Sequence, residues 1–359
     1  MLKDKEEKDY LVIYDIITKS KQLDSKNVKG EFHKRRPGGS FEVSMQYLYE
    51  RLTDSLLTLR KKKDIYYDLL NNLCKARMLY ERSLFEECFE ILSDTIEQAT
   101  YYENNEVLTI ALKLELEYLL RLNFPNLAES ELYHKHFMQN EALKKTRKIV
   151  EQSSLHNLLK YRLSHIGSIR TSKQKHDMND LMVNELSIAA SSGIEGNFEL
   201  MRNHRLFQAN YLMGAGEYKA ALNSYKELSR LFEQNRQFWS NPPIYYLSAI
   251  QGILDSLCIA GLYHETPFFL SKLEELTQNE YSTEFILHLK TLIYIYKSNS
   301  LLQAGNFEQA LELRDKQENE LLKKVTSLGL ESQLRLYLSF AVLGMYTKDY
   351  VQARKYMKK

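Results

Sequence analysis

Asn203 to Gln234 reads NHRLFQANYLMGAGEYKAALNSYKELSRLFEQ, and its apolar spacing decides the fold. In the first half Leu206, Phe207, Asn210, Tyr211 and Met213 recur at helical intervals; in the second, Tyr218, Ala221, Leu222, Tyr225, Leu228 and Leu231 do the same. Between them Gly214 and Gly216 stand where a helix ends in a left-handed residue and the chain reverses. Ala209 and Ala221 fall where two antiparallel helices cross, a place that a large side chain would wedge open. The stretch is therefore expected to be a helical hairpin.

The same turn recurs along the chain. Ser83-x-Phe85 precedes Cys88 as Gly216-x-Tyr218 precedes Ala221, and Asn123, Gly261, Gly305 and Lys348 lead in the same way to Ala128, Thr266, Ala310 and Ala353. The last steps, Gly216 to Gly261 to Gly305 to Lys348, are 45, 44 and 43 residues. The interval from Asn123 to Gly216 is two such steps, which predicts a further hairpin between about Leu155 and Ser191 that turns in Arg170 to Lys175, near Thr171. Seven hairpins then fill residues 64–359. The segments 191–197 (SSGIEGN) and 240–243 (SNPP) read as loops between repeats.

Composition agrees with an all-α chain. Only 5 Pro and 13 Gly occur in 359 residues, among abundant Leu, Glu, Lys and Tyr. Lys and Arg number 49 against 47 Asp and Glu, so no global field draws the molecule to nucleic acid or an anionic membrane. Cys74, Cys88 and Cys258 form no CxxC pair and sit in apolar helical patterns, as buried free thiols of a cytoplasmic protein would. The apolar part of the N-terminus is interrupted by Asp15 with no small-residue cleavage site after it, and no run approaches the ~20 residues of a membrane span. The second helix of the last hairpin breaks off at Lys359, so Tyr350 to Lys359 is either a short cap or the end of a fragment.

Residues 1–63 depart from the repeat. An apolar helix through Tyr10 to Ile17, a second after the Asp24/Ser25 cap signal, the turn HKRRPGGS and a third helix from Phe41 make a three-helix N-terminal segment. It reads as a cap over the first repeat, and its outline also matches a helix-turn-helix module. Its mild basic surplus lies in Lys34-Arg35-Arg36 and Arg60-Lys61-Lys62-Lys63.

No spacing that supports catalysis is present: there is no phosphate loop, no GxSxG, no HExxH and no dinucleotide fingerprint. His134 and His136, two apart on a helix, point about 200° away from each other and do not share a metal readily. The reading is therefore of a chain that is no enzyme and takes neither cofactor nor metal.

Small residue, Gly-x-Tyr, Ala and a further aromatic, held here by Ala209, Gly216, Tyr218, Ala221 and Tyr225, resemble the tetratricopeptide repeat. Arg205, Leu212 and Leu228 stand where that family prefers Trp, an aromatic and Ala, and the period exceeds its ~34 residues. The resemblance implies a right-handed superhelical solenoid whose first helices line a concave groove. Carried over position by position, it implies Asn203, Leu206, Asn210 and Met213 in one hairpin, and Ser248, Gln251, Asp255 and Cys258 in the next. Leu292, Ile295, Asn299 and Leu302 follow in the third, then Arg335, Leu338, Val342 and Met345. Asn210, Asp255 and Asn299 would meet a partner's backbone, while Leu206, Met213, Ile295 and Leu302 take its apolar side chains. Leu206 occupies a place where chaperone-binding members carry a carboxylate-gripping Lys. Ser40 to Leu57 with Leu79 to Leu92 is also similar to uncharacterised cytosolic repeat proteins of Bacteroidetes-type bacteria, a likeness that brings no activity with it. The expected function is a scaffold that binds a protein or peptide in its groove; the alternative is a regulator whose residues 1–63 contact DNA or form a homodimer.

Overall fold

The computed structural model describes residues 8–20, 24–61, 63–125, 127–167, 169, 171–192 and 196–358. Every regular element among them is helical. The chain forms two compact units, Met1–Thr95 and Ile96–Lys359.

In the first unit α1 (Asp9–Lys19), α2 (Ser25–Arg35) and α3 (Phe41–Lys61) enclose a small core. Val12, Ile13 and Ile16 of α1 meet Val28 and Phe32 of α2 and Phe41 and Leu48 of α3. Asp24 caps α2 by accepting from the Lys26 amide, as its sequence signal predicts. The unit continues beyond residue 63: α4 (Ile65–Glu81), capped by Asp64, packs on α3, and α5 (Phe85–Tyr101), which follows a tight turn at Ser83, belongs to it as far as Thr95.

The second unit contains α6 (Asn105–Arg121), α7 (Glu129–Ile166), the short α8 (Ser172–His176) and α9 (Asn179–Ser192), then α10 (Phe198–Gly214) and α11 (Tyr218–Gln234). It ends with α12 (Ile244–Ala260), α13 (Thr266–Thr277), α14 (Thr283–Gln303), α15 (Phe307–Lys323), α16 (Leu330–Tyr346) and α17 (Tyr350–Met357). Every turn expected from the repeated motif is a turn. Ser83, Asn123, Gly216, Gly261, Gly305 and Lys348 all have φ between 57° and 80°. At the first five of these, the amide of the next residue bonds back across the helix end, as Glu217 N does to Leu212 O at 2.9 Å. Ala209, Ala221 and Ala310 are fully buried and Ala353 nearly so, at the crossings that the small residues imply.

Three expectations are corrected. The hidden hairpin exists as α7 and α9, but no turn separates its first helix from the hairpin before it. α7 runs unbroken for 38 residues. No Gly or Pro occurs between Ala128 and Gly167, so nothing ends the helix until Gly167 takes φ +74°. The turn therefore begins at Gly167; Arg170, part of the expected turn, lies outside the described residues, as do 193–195 of the SSGIEGN loop. Gly214, expected to end its helix in a left-handed residue, is the last helical residue of α10, and a Cβ there would lie 2.6 Å from Leu163 of α7. Its task is close approach, and only Gly216 is left-handed. Of the three cysteines, all free, Cys88 is buried, Cys258 half-buried and Cys74 exposed.

The first helices of successive hairpins lie side by side: α7 packs on α10, α10 on α12, α12 on α14 and α14 on α16. The main core runs through α10 to α14, from Phe198 to Tyr296. Among the described residues no helix is long and apolar enough to cross a membrane.

Candidate functional site

The row of first helices presents a cleft of about 360 Å³, lined by α7, α10, α12 and the start of α16, with Tyr225 of α11. Its size suits a small ligand or a few residues of a peptide. At its floor Asn210 is only 7% exposed and fully engaged. Its Nδ2 donates to Leu206 O at 2.8 Å and faces His156 Nε2 at 3.1 Å, while its Oδ1 accepts from Tyr225 OH at 3.1 Å. The carbonyl of Leu206 fixes which end of the amide is nitrogen. His156 Nε2 must then be the acceptor, which puts the imidazole proton on Nδ1. Burial, followed by Lys160 and Arg202, lowers the His156 pKa to about 4, so the ring is neutral at pH 7.

Next along the row, Asp255 of α12 joins α14 and α16. Tyr296 OH donates to Asp255 Oδ1 at 2.7 Å, and Arg335 reaches the same oxygen at 2.6 Å and Oδ2 at 3.2 Å. Arg335 Nη2 also donates to Tyr296 OH at 2.9 Å. Burial pushes the Tyr296 hydroxyl well above its usual range, with the Asp255 charge adding to it, so the phenol stays a donor. Arg335 is held as a cation against desolvation by Tyr296 and Asp255. Burial, then Asp255, raises the Cys258 thiol to about 11, against the opposing bond from Asn299. It is a packed thiol, not a nucleophile.

Leu206, Asn210, Met213, Ser248, Gln251 and Asp255 all line the cleft. The other expected groove residues do not. Asn203 is buried, bonding Ser153 of α7 and accepting from Arg202. Ile295 packs with Leu336 and Phe340, and Leu302 with Ala310 and Leu343. These two side chains fill the contact between hairpins, because the middle of α14, Thr291 to Tyr296, is buried on every side and the helix is covered by α13, α15 and α16. Arg335 joins the site only through Asp255, and Asn299, half-buried on α14, does not reach the cleft. Leu338 and Met345 of α16 are more than half exposed.

His156 and Lys160 were not among the expected site residues. The six-residue offset of Asn210 from Gly216 and of Asp255 from Gly261, applied to Gly167, lands beside Lys160; the expected turn near Thr171 hid it. Tyr225 and Tyr296 are indistinguishable in the sequence from other core aromatics.

Among the described residues no group of three His, Cys, Asp or Glu side chains could hold a metal ion. No family model, curated protein or solved structure matches the chain.

Proposed function

We propose that this chain is a non-enzymatic binding protein that holds an extended segment of a partner protein along the row α7, α10, α12, α14 and α16, in a solenoid of the tetratricopeptide type. The observation that carries this reading is the convergence of Asn210, Gln251 and Asp255, from equivalent stretches of two successive first helices, on one cleft. Extended chains need backbone partners at intervals and apolar contacts between them; Gln251 supplies an amide and the half-buried Met213 apolar surface, while Leu206 backs them from the core. The buried groups around them are bonded to one another, which is how a preformed binding surface keeps its shape. The packed thiol and the neutral, hydrogen-bonded imidazole support binding over covalent chemistry.

Gln251 makes no side-chain hydrogen bond among the described residues, so replacing it tests the cleft without dismantling the fold. Dodecamer peptides selected from a phage library on the wild-type protein should bind Gln251→Trp, whose ring fills the cleft, at least about tenfold more weakly, with the melting temperature kept. Equal binding to both proteins would place the peptide elsewhere. The regulator reading draws less support: Arg35 and Arg36, the centre of the basic run, face Glu31 and Asp9.

A further inference from the structure

Two charges in the cleft stand apart from the pairing around them. Asp255 is taken by Arg335 and Tyr296, and Arg202, beside His156, is taken by Glu199 at 2.5 Å. Lys160 of α7 and Glu331 in the first turn of α16 line the same cleft, and neither has a hydrogen bond or ion pair among the described residues. Burial lowers the Lys160 pKa, opposed first by the Glu331 carboxylate and then by that of Asp255, yet Lys160 and Glu331 do not form a salt bridge. An opposite pair held open across a cleft leaves one anion site and one cation site.

The anion site has a second donor. Because Asn210 uses His156 Nε2, the Nδ1 proton of that neutral ring is left to donate, and His156 lies one helical turn before Lys160 on α7. We infer that the cleft selects a peptide segment of opposite charge order: a carboxylate held by Lys160 with His156 Nδ1–H, and a basic side chain held by Glu331. This rests on the peptide-binding reading above and gives it a sequence preference. A carboxylate fits because a neutral imidazole donor and an ammonium together satisfy its two oxygens. The basic group completes the match because Glu331 otherwise repels the same segment.

The test compares peptides enriched from one phage-displayed dodecamer library on the wild type, on Lys160→Glu, on Glu331→Lys and on the double variant. The wild type should enrich an acidic residue at a fixed spacing from a basic one. Lys160→Glu should replace the acidic preference by a basic one, and the double variant should reverse the order of both. Synthetic forms of a selected peptide, with Glu changed to Gln and the C-terminus free or amidated, separate a side-chain carboxylate from a terminal one. The side-chain change should weaken binding about tenfold or more, the level at which a charge-assisted contact is lost. Enriched peptides without an acidic residue, or the same peptides on all four proteins, would overturn the inference and leave peptide binding standing. A double variant that enriches the wild-type sequences would show that Lys160 and Glu331 serve each other, which also overturns it. Failure of the wild type to enrich any peptide would take away the peptide reading itself, and this inference with it.

Discussion

Asn210 shows how far a residue's burial changes the meaning of its type. On sequence it is a groove amide that would meet a partner's backbone; in the structure it is 7% exposed and satisfies His156, Leu206 and Tyr225 together. Asn210→Ala leaves the imidazole nitrogen and a buried phenol unpaired, which should cost ~1–3 kcal/mol, visible as a lower melting temperature. Paired replacement of Asn210 and Asn299 thus reports on stability as well as on binding, and Gln251 is the cleaner probe. His156 adds a pH dependence with a definite sign. Its folded pKa, about 4, lies below the ordinary 6.5, so its contribution is complete above pH 6.5 and is lost as pH falls towards 4, where the unfolded chain takes the proton first. The size is at most about 3 kcal/mol. His156→Gln, which keeps an acceptor for Asn210, should flatten the acid limb of stability measured by urea titration between pH 7 and 4. His288, lowered by burial in the same direction, leaves part of the slope in place. An unchanged slope would mean that the ring is not held neutral.

Helices meet in this molecule where one side chain is absent. At Gly252 of α12 a Cβ would lie 2.4 Å from the Tyr225 ring, which is pinned by its bond to Asn210. At Gly214 the nearest atom is the tip of Leu163, free to change rotamer. Gly252→Ala should therefore cost ~1–3 kcal/mol by overpacking, and Gly214→Ala clearly less despite a similar clash distance. Thermal melts of the two variants compare them directly; equal losses would mean that the Tyr225 ring yields as readily as the leucine. Ala221→Leu belongs with Gly252→Ala, since Ala221 is fully buried at the α10–α11 crossing. These crossings were legible because small residues and left-handed turns repeat at fixed offsets. α7 was not, since a period marks where turns fall when they exist and is silent where a helix runs through. The same gap hides the cleft's α7 wall: Ile295 and Leu302 hold motif positions, while His156 and Lys160 hold none. A motif reports which face a residue is on in one hairpin, and burial depends on the next.

At the scale of the second unit, the bond set joining Asp255, Tyr296 and Arg335 ties three hairpins that sequence separates by up to 80 residues. Local turns set each hairpin, but only contacts of this reach make neighbouring hairpins open together. The Arg335 and Asp255 side chains are 24% and 29% exposed, so the ion pair is partly screened and its removal is milder than that of a fully buried pair. Arg335→Met should leave the Asp255 carboxylate with only Tyr296 and destabilise by ~1–2 kcal/mol. Asp255→Asn together with Arg335→Met removes both charges, and the double variant should be less destabilised than the sum of the two single changes. Amide exchange locates the effect. If the set couples the hairpins, Arg335→Met should speed exchange in α16 and α17 ahead of α10 and α11, because the last hairpin then loses its ion pair with α12 and keeps only its contacts with α14 and α15, the Ser332–His288 bond among them. Uniform acceleration through all these helices would mean that the second unit opens as one body with or without the bond set. In that case the apolar contact of Tyr294 with Phe340, centroids 5.0 Å apart, and the bonds of Ser332 to His288 and of Tyr356 to Glu318 hold the last hairpin to the row without the set.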